Sequence, residues 1–406
     1  MAELDVDVVV VGAGMVGAAL ACALAQRSFS VMVVEARTPE LSWDSAGFDL
    51  RVSAISRASQ RLLQNLGVWQ AMLDDRATPY QHMHVWDRAG LGEIHFDAAD
   101  LAEPDLGHII ENRVIVAALW RRMRDDLVDV RSPLQLGSFE CAEQGVELQL
   151  SDASRVRAGL LVGADGGRSQ VRERVGIEAH GEPYDQHAVL ATVRAEKGNQ
   201  ATAWQHFMRA GPLALLPLQQ DLFSIVWSTS PAQAERLCAL DERTFDAELT
   251  AASEARLGRL SVQGPRAAFP LALQHAAQYV RGGVALVGDA AHVIHPLAGQ
   301  GVNLGFLDAA ALVDALSAGR ERGDRPGSLR TLRPYERGRK GHNTATQLAM
   351  DGFKHLFGTD SSALGALRNL GLGVAGRIGP LRRQFERVAL GYGVELPTLC
   401  RPPGPS

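Results

Sequence analysis

Three short stretches of the chain end an apolar run in glycine and follow it with a carboxylate. The first is Gly12, Gly14 and Gly17 with Glu35, the second Gly163, Asp165 and Gly166, and the third Gly288 with Asp289. In the first stretch each glycine has its own task. One makes a tight turn, one lets backbone N–H groups approach a pyrophosphate, and one lets a helix pack close on a sheet. The anion then sits at the positive end of that helix. Glu35 closes the next apolar run, near the spacing at which a carboxylate reaches ribose hydroxyls. An acid there repels a ribose 2′-phosphate, which disfavours NADP and leaves FAD or NAD. A further segment, Pro296, Gly299, Gln300 and Gly301, is permissive in backbone and uncharged, and it runs straight into an apolar helix. Free N–H groups at such a helix start stabilise negative charge by about 0.3–1 kcal/mol, and glycines let the backbone touch a ligand directly.

These residues need elements to hold them. The β-branched run ending at Val11 reads as a strand, the residues through about Gln26 as a helix, and Val31 to Val34 as a second strand, which together make a βαβ unit. Leu160 to Val162 forms another strand, followed by Gly163, Asp165, Gly166, Ser169 and Arg172 leading into a helix. Carboxyl ends of parallel strands are where open α/β sheets bind ligands. Ordinary Gly-Asp turns capping their helices would explain one such stretch; three in this order call for a dinucleotide site.

The bulk properties agree. With 406 residues, 46% hydrophobic and 21% charged, the chain has globular composition and room for two domains or one core with an inserted second layer. A net charge of −5 gives no global pull toward nucleic acid. Cys22, Cys141, Cys238 and Cys400 are too scattered for a zinc site and point to reduced, mostly buried thiols of a cytoplasmic protein. The N-terminus carries acids where a signal peptide carries lysine or arginine. No stretch is expected to supply the ~20 apolar residues of a membrane span, so a soluble or peripheral protein is predicted.

The Asp-Gly-x-x-Ser-x-x-Arg pattern of Asp165, Gly166, Ser169 and Arg172, together with Gly288–Asp289 and the N-terminal fingerprint, resembles the p-hydroxybenzoate hydroxylase-like flavoproteins. The His-Pro-Leu-Ala-Gly-Gln-Gly-x-Asn segment, with residues 47–69, 107–120 and 204–218, resembles the ubiquinone-biosynthesis branch of that family from Val8 to about Gly391. The resemblance implies an α/β fold, with a Rossmann-like FAD-binding domain, an interleaved antiparallel-sheet substrate domain and a helical C-terminal region. It implies FAD as cofactor, O2 as co-substrate, and NAD(P)H or a partner reductase as electron donor. Asp289 would bind the ribityl chain, Pro296 would lie beside the isoalloxazine, Gly299, Gln300 and Gly301 along its pyrimidine edge, and Asn303 in the first helical turn. Arg51 and Arg113 match FAD-contacting positions, Arg113 toward the phosphate or ribityl region. The implied reaction is hydroxylation of a polyprenylated phenol or benzoquinol of ubiquinone biosynthesis through a flavin C4a-hydroperoxide. The protein positions the ring and excludes water, and no side-chain nucleophile or metal is required.

On this basis FAD-binding parts are expected at 1–77, 107–178 and 271–330, substrate-domain parts at 78–106 and 179–270, and a helical region and tail at 331–406. Phe207, Leu215, Pro217 and Trp227 are expected as substrate-pocket walls. His292 and His295 flank the flavin segment, and histidine is suited to proton transfer near neutral pH, although packing or capping roles explain them as well. The basic, leucine-rich stretch from Leu364 to Leu390 suits an anionic membrane surface, at the inner face of a membrane, and equally a cover over the core of the FAD-binding domain or a contact within a ubiquinone-biosynthesis complex. Two other readings stay open, a flavin enzyme of another class such as a prenyl-chain reductase, and a non-catalytic flavoprotein member of such a complex.

Overall fold

The computed structural model describes residues 5–43, 47–87, 93–181, 183–294, 301–358 and 396–402. The first strand, Val6–Val11, lies at the centre of a mainly parallel sheet between strands Val31–Val34 and Arg155–Gly163, and the latter also pairs in parallel with Val284–Leu286. A strand buried on both faces needs a continuous apolar run rather than alternation. Val8, Val9 and Val10 meet that need, each with no exposed surface. The intervening helix, Met15–Ala25, is built mostly from small residues, alanine above all, and is buried from Gly17 to Leu24. Its slenderness lets a second helix, Gly301–Glu321, cross it closely: a Cβ on Gly305 would stand 2.6 Å from the Val16 side chain. The expected βαβ unit is present, with strand bounds matching at Val11 and at Val31–Val34.

The second layer is a seven-stranded sheet that includes Thr202–Met208, Gly211–Pro217 and Leu222–Thr229, the first and last of them rich in the β-branched and aromatic residues that favour strands. The sheet is antiparallel as expected except for one pair, Thr202–Met208 with His82–Asp87, which runs parallel. Helices Pro231–Ala239 and Glu242–Ala252 were not anticipated within 179–270; Asp241 starts the second by accepting the Thr244 N–H at 3.0 Å. They cover one sheet face and enclose a separate core of Val189, Leu213, Ile225, Phe245 and neighbours. The last strand of this layer, Leu260–Ala272, runs past the expected boundary at 270.

Register decides which residues look toward the cofactor layer. Leu190 pairs with Val226, Val226 with Ala214, Ala214 with Gln205, and Gln205 with Val85, so these share one face. Residues one position away point to the opposite face.

Against expectation, one helix is long and apolar enough by composition to cross a bilayer. It is Gly301–Glu321, with 67% of its apolar window buried inside the protein, so it serves here as a core helix. Of the cysteines, Cys22 and Cys400 are buried, Cys238 is half-buried and Cys141 is exposed, and all four are free. The helix Leu329–Gly358 opens the C-terminal region. The basic stretch Leu364 to Leu390 lies outside the described residues.

Candidate active site

The glycines of the first turn are fixed by contact. Gly12 has φ +101° and a Cβ there would meet the Ala164 carbonyl oxygen at 2.4 Å, while a Cβ on Gly17 would meet the Gly12 oxygen at 2.0 Å. Gly14 precedes the helix without any side-chain cap and leaves open space beside it. The first N–H groups of this helix are thereby left to a ligand. Glu35 accepts the Ala13 N–H at 2.7 Å and the Arg37 N–H at 2.9 Å. A carboxylate has about four lone-pair sites, so capacity remains for ribose hydroxyls.

The two later turns are joined by Arg172. Its guanidinium, 4% exposed for the whole residue, donates to Ala290 O and to Gly167 O, each at 2.9 Å. Ser169 caps the short helix beneath it by accepting the Arg172 N–H. The family-type motif around Asp165 is thus stapled to the motif around Asp289. Asp165 Oδ2 accepts the Val171 N–H at 3.2 Å, but its Oδ1 is buried with no hydrogen-bond partner. A buried carboxylate oxygen left so is costly unless a ligand donor meets it. This atom, the glycine cradle and the open helix start are the observations that fit FAD to these residues.

A cavity of about 420 Å³ opens beside the cradle and reaches the second layer. Gly14, Gly166, Asp289 and Gly301 line its cofactor side. Asp289 lines this cavity with its side chain still open to solvent, and the protein crowded around it pushes its carboxyl upward by partial desolvation, opposed by the charges of His292 and Arg51. Arg51 is the one cation lining the cavity among the described residues, with its guanidinium 5.8 Å from the centre of the Phe269 ring. Arg113 is placed differently. It is held by Glu111 at 2.7 Å and by Gly47 O at 2.7 Å, lies over Trp43, and does not line the cavity. Asn303 also turns from the cavity: its amide accepts the Ser56 N–H at 3.0 Å and donates to Ala54 O at 2.8 Å, tying the helix to strand Val52–Ile55. Pro296, Gly299, Gln300 and His295 lie outside the described residues.

The expected substrate wall needs correction. Leu215 and Trp227 belong to the core beneath the two helices, Trp227 packing 6.4 Å from Phe245 between ring centres. Pro217 shares Leu215's register parity and with it the same face. Phe207 is on the cofactor-facing side, yet it packs against Val85 rather than lining the cavity. The wall is built instead from Ala188, Leu190, Val226, Phe269 and Leu271. Size misled the sequence reading, since alternation along the strands, and not side-chain bulk, selects the face. His292 is buried and donates through Nε2 to Asp308 Oδ2 at 2.5 Å, a partner the sequence reading missed. A signal was present: Asp308 is one of two aspartates, with Asp314, inside a long apolar helical run. A further unanticipated group, His82, His95 and Asp97, brings three potential ligand atoms within 4.8 Å of one another, on the sheet face away from the cavity.

Comparison with known proteins agrees with this geometry. Residues 5–349 match the FAD binding domain family. The chain is 41% identical to 3-demethoxyubiquinol 3-hydroxylase of Escherichia coli over 392 residues, covering 96% of this chain and 100% of that protein. It is 39% identical to ubiquinone hydroxylase UbiL of Rhodospirillum rubrum, covering 98% and 94% of the two chains. The structure of p-nitrophenol 4-monooxygenase from Pseudomonas putida superimposes with a TM-score of 0.77 at 20% identity, over 97% of this chain and 100% of that one, which shows the shared fold. With an FAD-type cradle, two stapled Gly-Asp turns and relatives matched along their whole length, the chain belongs to the FAD-dependent monooxygenases of the ubiquinone-biosynthesis hydroxylase family.

Proposed function

We propose that this enzyme hydroxylates the ring of a polyprenylated demethoxy-quinol, the substrate class named for its Escherichia coli relative. The observation that supports this most directly is the apolar wall of Ala188, Leu190, Val226 and Leu271 facing Asp289 and Gly301 across one cavity. Such a wall accepts a substituted ring and sheds its water, while the small side chains at 188 and 226 leave space for ring substituents.

Bound FAD, once reduced, supplies the activation of O2 that delivers one oxygen atom to the ring. The chain's own residues do the rest. Gly12, Gly14 and Gly17 admit the pyrophosphate to the backbone, and Glu35 receives ribose hydroxyls. Asp165 Oδ1 and Asp289 take hydroxyl donors of the cofactor. Arg51 sets positive charge at the cavity rim, and the helix starting at Gly301 directs its N–H groups toward the same space. Pro296, Gly299 and Gln300 belong to the same proposed ring-binding segment. The reductant is NAD(P)H or a reductase partner, and the substrate's tail favours work at a membrane surface or within a biosynthetic complex.

The test begins with the absorption spectrum of the purified protein, followed by anaerobic reduction with NADPH and mixing with O2 and a short-chain demethoxy-quinol. Flavin bands and a product one oxygen heavier support the reading. Bound flavin that reoxidises without product from any quinol analogue would refute the substrate assignment.

A further inference from the structure

Behind the Gly288–Asp289 turn lies a polar cluster that the scheme above leaves unused. Asp308 has no exposed surface, and both of its oxygens are fully engaged. Oδ2 accepts the Gly288 N–H at 3.2 Å and His292 Nε2–H at 2.5 Å. Oδ1 accepts Arg339 Nε–H at 2.8 Å and the Asn343 amide at 3.1 Å. Arg339 also donates to Asn343 Oδ1 at 2.7 Å, and Asn343 in turn donates to Tyr279 Oη at 3.3 Å. One turn earlier on the same helix, the Tyr335 hydroxyl donates to Leu286 O at 2.6 Å. A single carboxylate therefore joins the strand end that carries Asp289, the residues entering the proposed flavin-ring segment, the helix leaving it, and the C-terminal helix.

A buried aspartate needs a counter-charge; the Arg339 guanidinium at 2.8 Å balances it, so any charge that His292 adds exceeds that need. Half of this carboxylate's bonding, however, goes to groups that a counter-ion role does not require. Gly288 has φ +59°, and its N–H is the donor that fixes the direction in which the next residue, Asp289, leaves the turn. His292 precedes Val293 and Ile294, both of which line the cavity. Loss of either bond would leave the Asp308–Arg339 ion pair in place.

We propose that Asp308 and His292 form a positioning pair for FAD, in which Asp308 holds the Gly288 turn so that Asp289 faces the cavity, and His292 locks the following cavity-lining residues to the same carboxylate. The inference rests on FAD binding and not on the identity of the ring substrate. Its test therefore reads cofactor release rather than turnover.

The experiment measures FAD release from the holoenzyme on dilution, as the return of free-flavin fluorescence, together with thermal unfolding of holo and stripped protein. His292→Gln keeps both members of the ion pair and is expected to fold while its FAD dissociation constant rises tenfold or more. Asp308→Asn leaves Arg339 unpaired, so it is compared with the double variant Asp308→Asn/Arg339→Gln, which removes the charge imbalance but is expected to bind FAD as poorly as the single variant. Tyr279→Phe and Tyr335→Phe remove hydroxyls from the same cluster without touching Gly288 or His292, and are expected to lower thermal stability with the FAD dissociation constant unchanged. His292→Gln that releases FAD as slowly as the unmodified enzyme, while losing only thermal stability, would overturn the proposal and leave the cluster as a core ion pair. If the double variant fails to fold, His292→Gln against the two tyrosine variants decides the matter alone.

Discussion

The cofactor layer and the substrate sheet encode their sites in different ways. Around FAD the backbone is the binding surface, so the site is written in residues that only a special backbone tolerates, such as Gly12 at φ +101° and Gly17 with its neighbour 2.0 Å away. In the sheet, side chains are the binding surface, and whether a residue faces cavity or core turns on a shift of one position. Ala188 lines the cavity while Val189 is buried in the opposite core. A site made of backbone exceptions stands out in a sequence, whereas a site made of parity among uniformly apolar strands does not. Strand Gly211–Pro217 is buried at all seven positions and offers no polar alternation to read.

The sharpest way to break this contrast is at Gly17. Gly17→Ala forces a Cβ into the Gly12 carbonyl oxygen, and is expected to cost more than about 4 kcal/mol, in the range reserved for severe strain. Absorption of the purified variant checks it: a colourless or insoluble protein is expected, and a yellow one of normal stability would show that close approach is not what the glycine provides. The next effect is at Trp227. Because it fills the core beneath the helices, Trp227→Ala is expected to lower unfolding free energy by about 3–5 kcal/mol, measured in urea, with KM for the quinol unchanged. Ala188→Phe is the counterpart on the other face. It is expected to leave FAD binding intact and to reduce kcat/KM tenfold or more, about 1.4 kcal/mol of transition-state stabilisation. If Trp227→Ala raised KM and Ala188→Phe did not, the register assignment of the two faces would be reversed.

Much of the cofactor side was legible before any coordinates. The end of the first strand, the helix start after it, the three carboxylates and the two Gly-Asp turns follow from residue type and spacing. What escaped was pairwise choice. Arg113 looked the better FAD contact of the two arginines in the sequence, but Glu111 two residues earlier takes it, and only the packing of strand Gly107–Glu111 brings Arg76 and the Asp49 N–H to the same carboxylate. Asn303 looked like a ligand group at a helix start; its distant partners, Ala54 and Ser56, are strand neighbours that no local pattern announces. The aromatic residues of the sheet drew attention by size, and size fills cores more often than it lines pockets.

The smallest expected effect lies inside the cofactor side and contrasts two aspartates. Asp289 stands at the open cavity, exposed to solvent on one side and crowded by protein on the other, and its native carboxyl is raised by partial desolvation despite the opposing charges of His292 and Arg51. Burial would raise Asp308 as well, but His292 and Arg339, through charge and hydrogen bonds, hold it well below the carboxylate range. Linkage gives the two opposite signs. The contribution of Asp289 is fully present below its ordinary value of 3.8 and is lost as pH rises through its higher native value. That of Asp308 is present above 3.8 and is lost as pH falls through its depressed native value. In stripped protein at neutral pH an ionised Asp289 therefore works against the fold, and it does so in the orientation that serves the cofactor. Asp289→Asn is expected to gain stability relative to the unmodified protein as pH is raised from about 4 to about 7, while its holoenzyme releases FAD faster. Urea unfolding of the stripped proteins across that range checks it. A stability difference that stays flat with pH would mean that the Asp289 carboxylate is solvated as well in the cavity as in the unfolded chain, and that this part of the cofactor site is held at no cost to the fold.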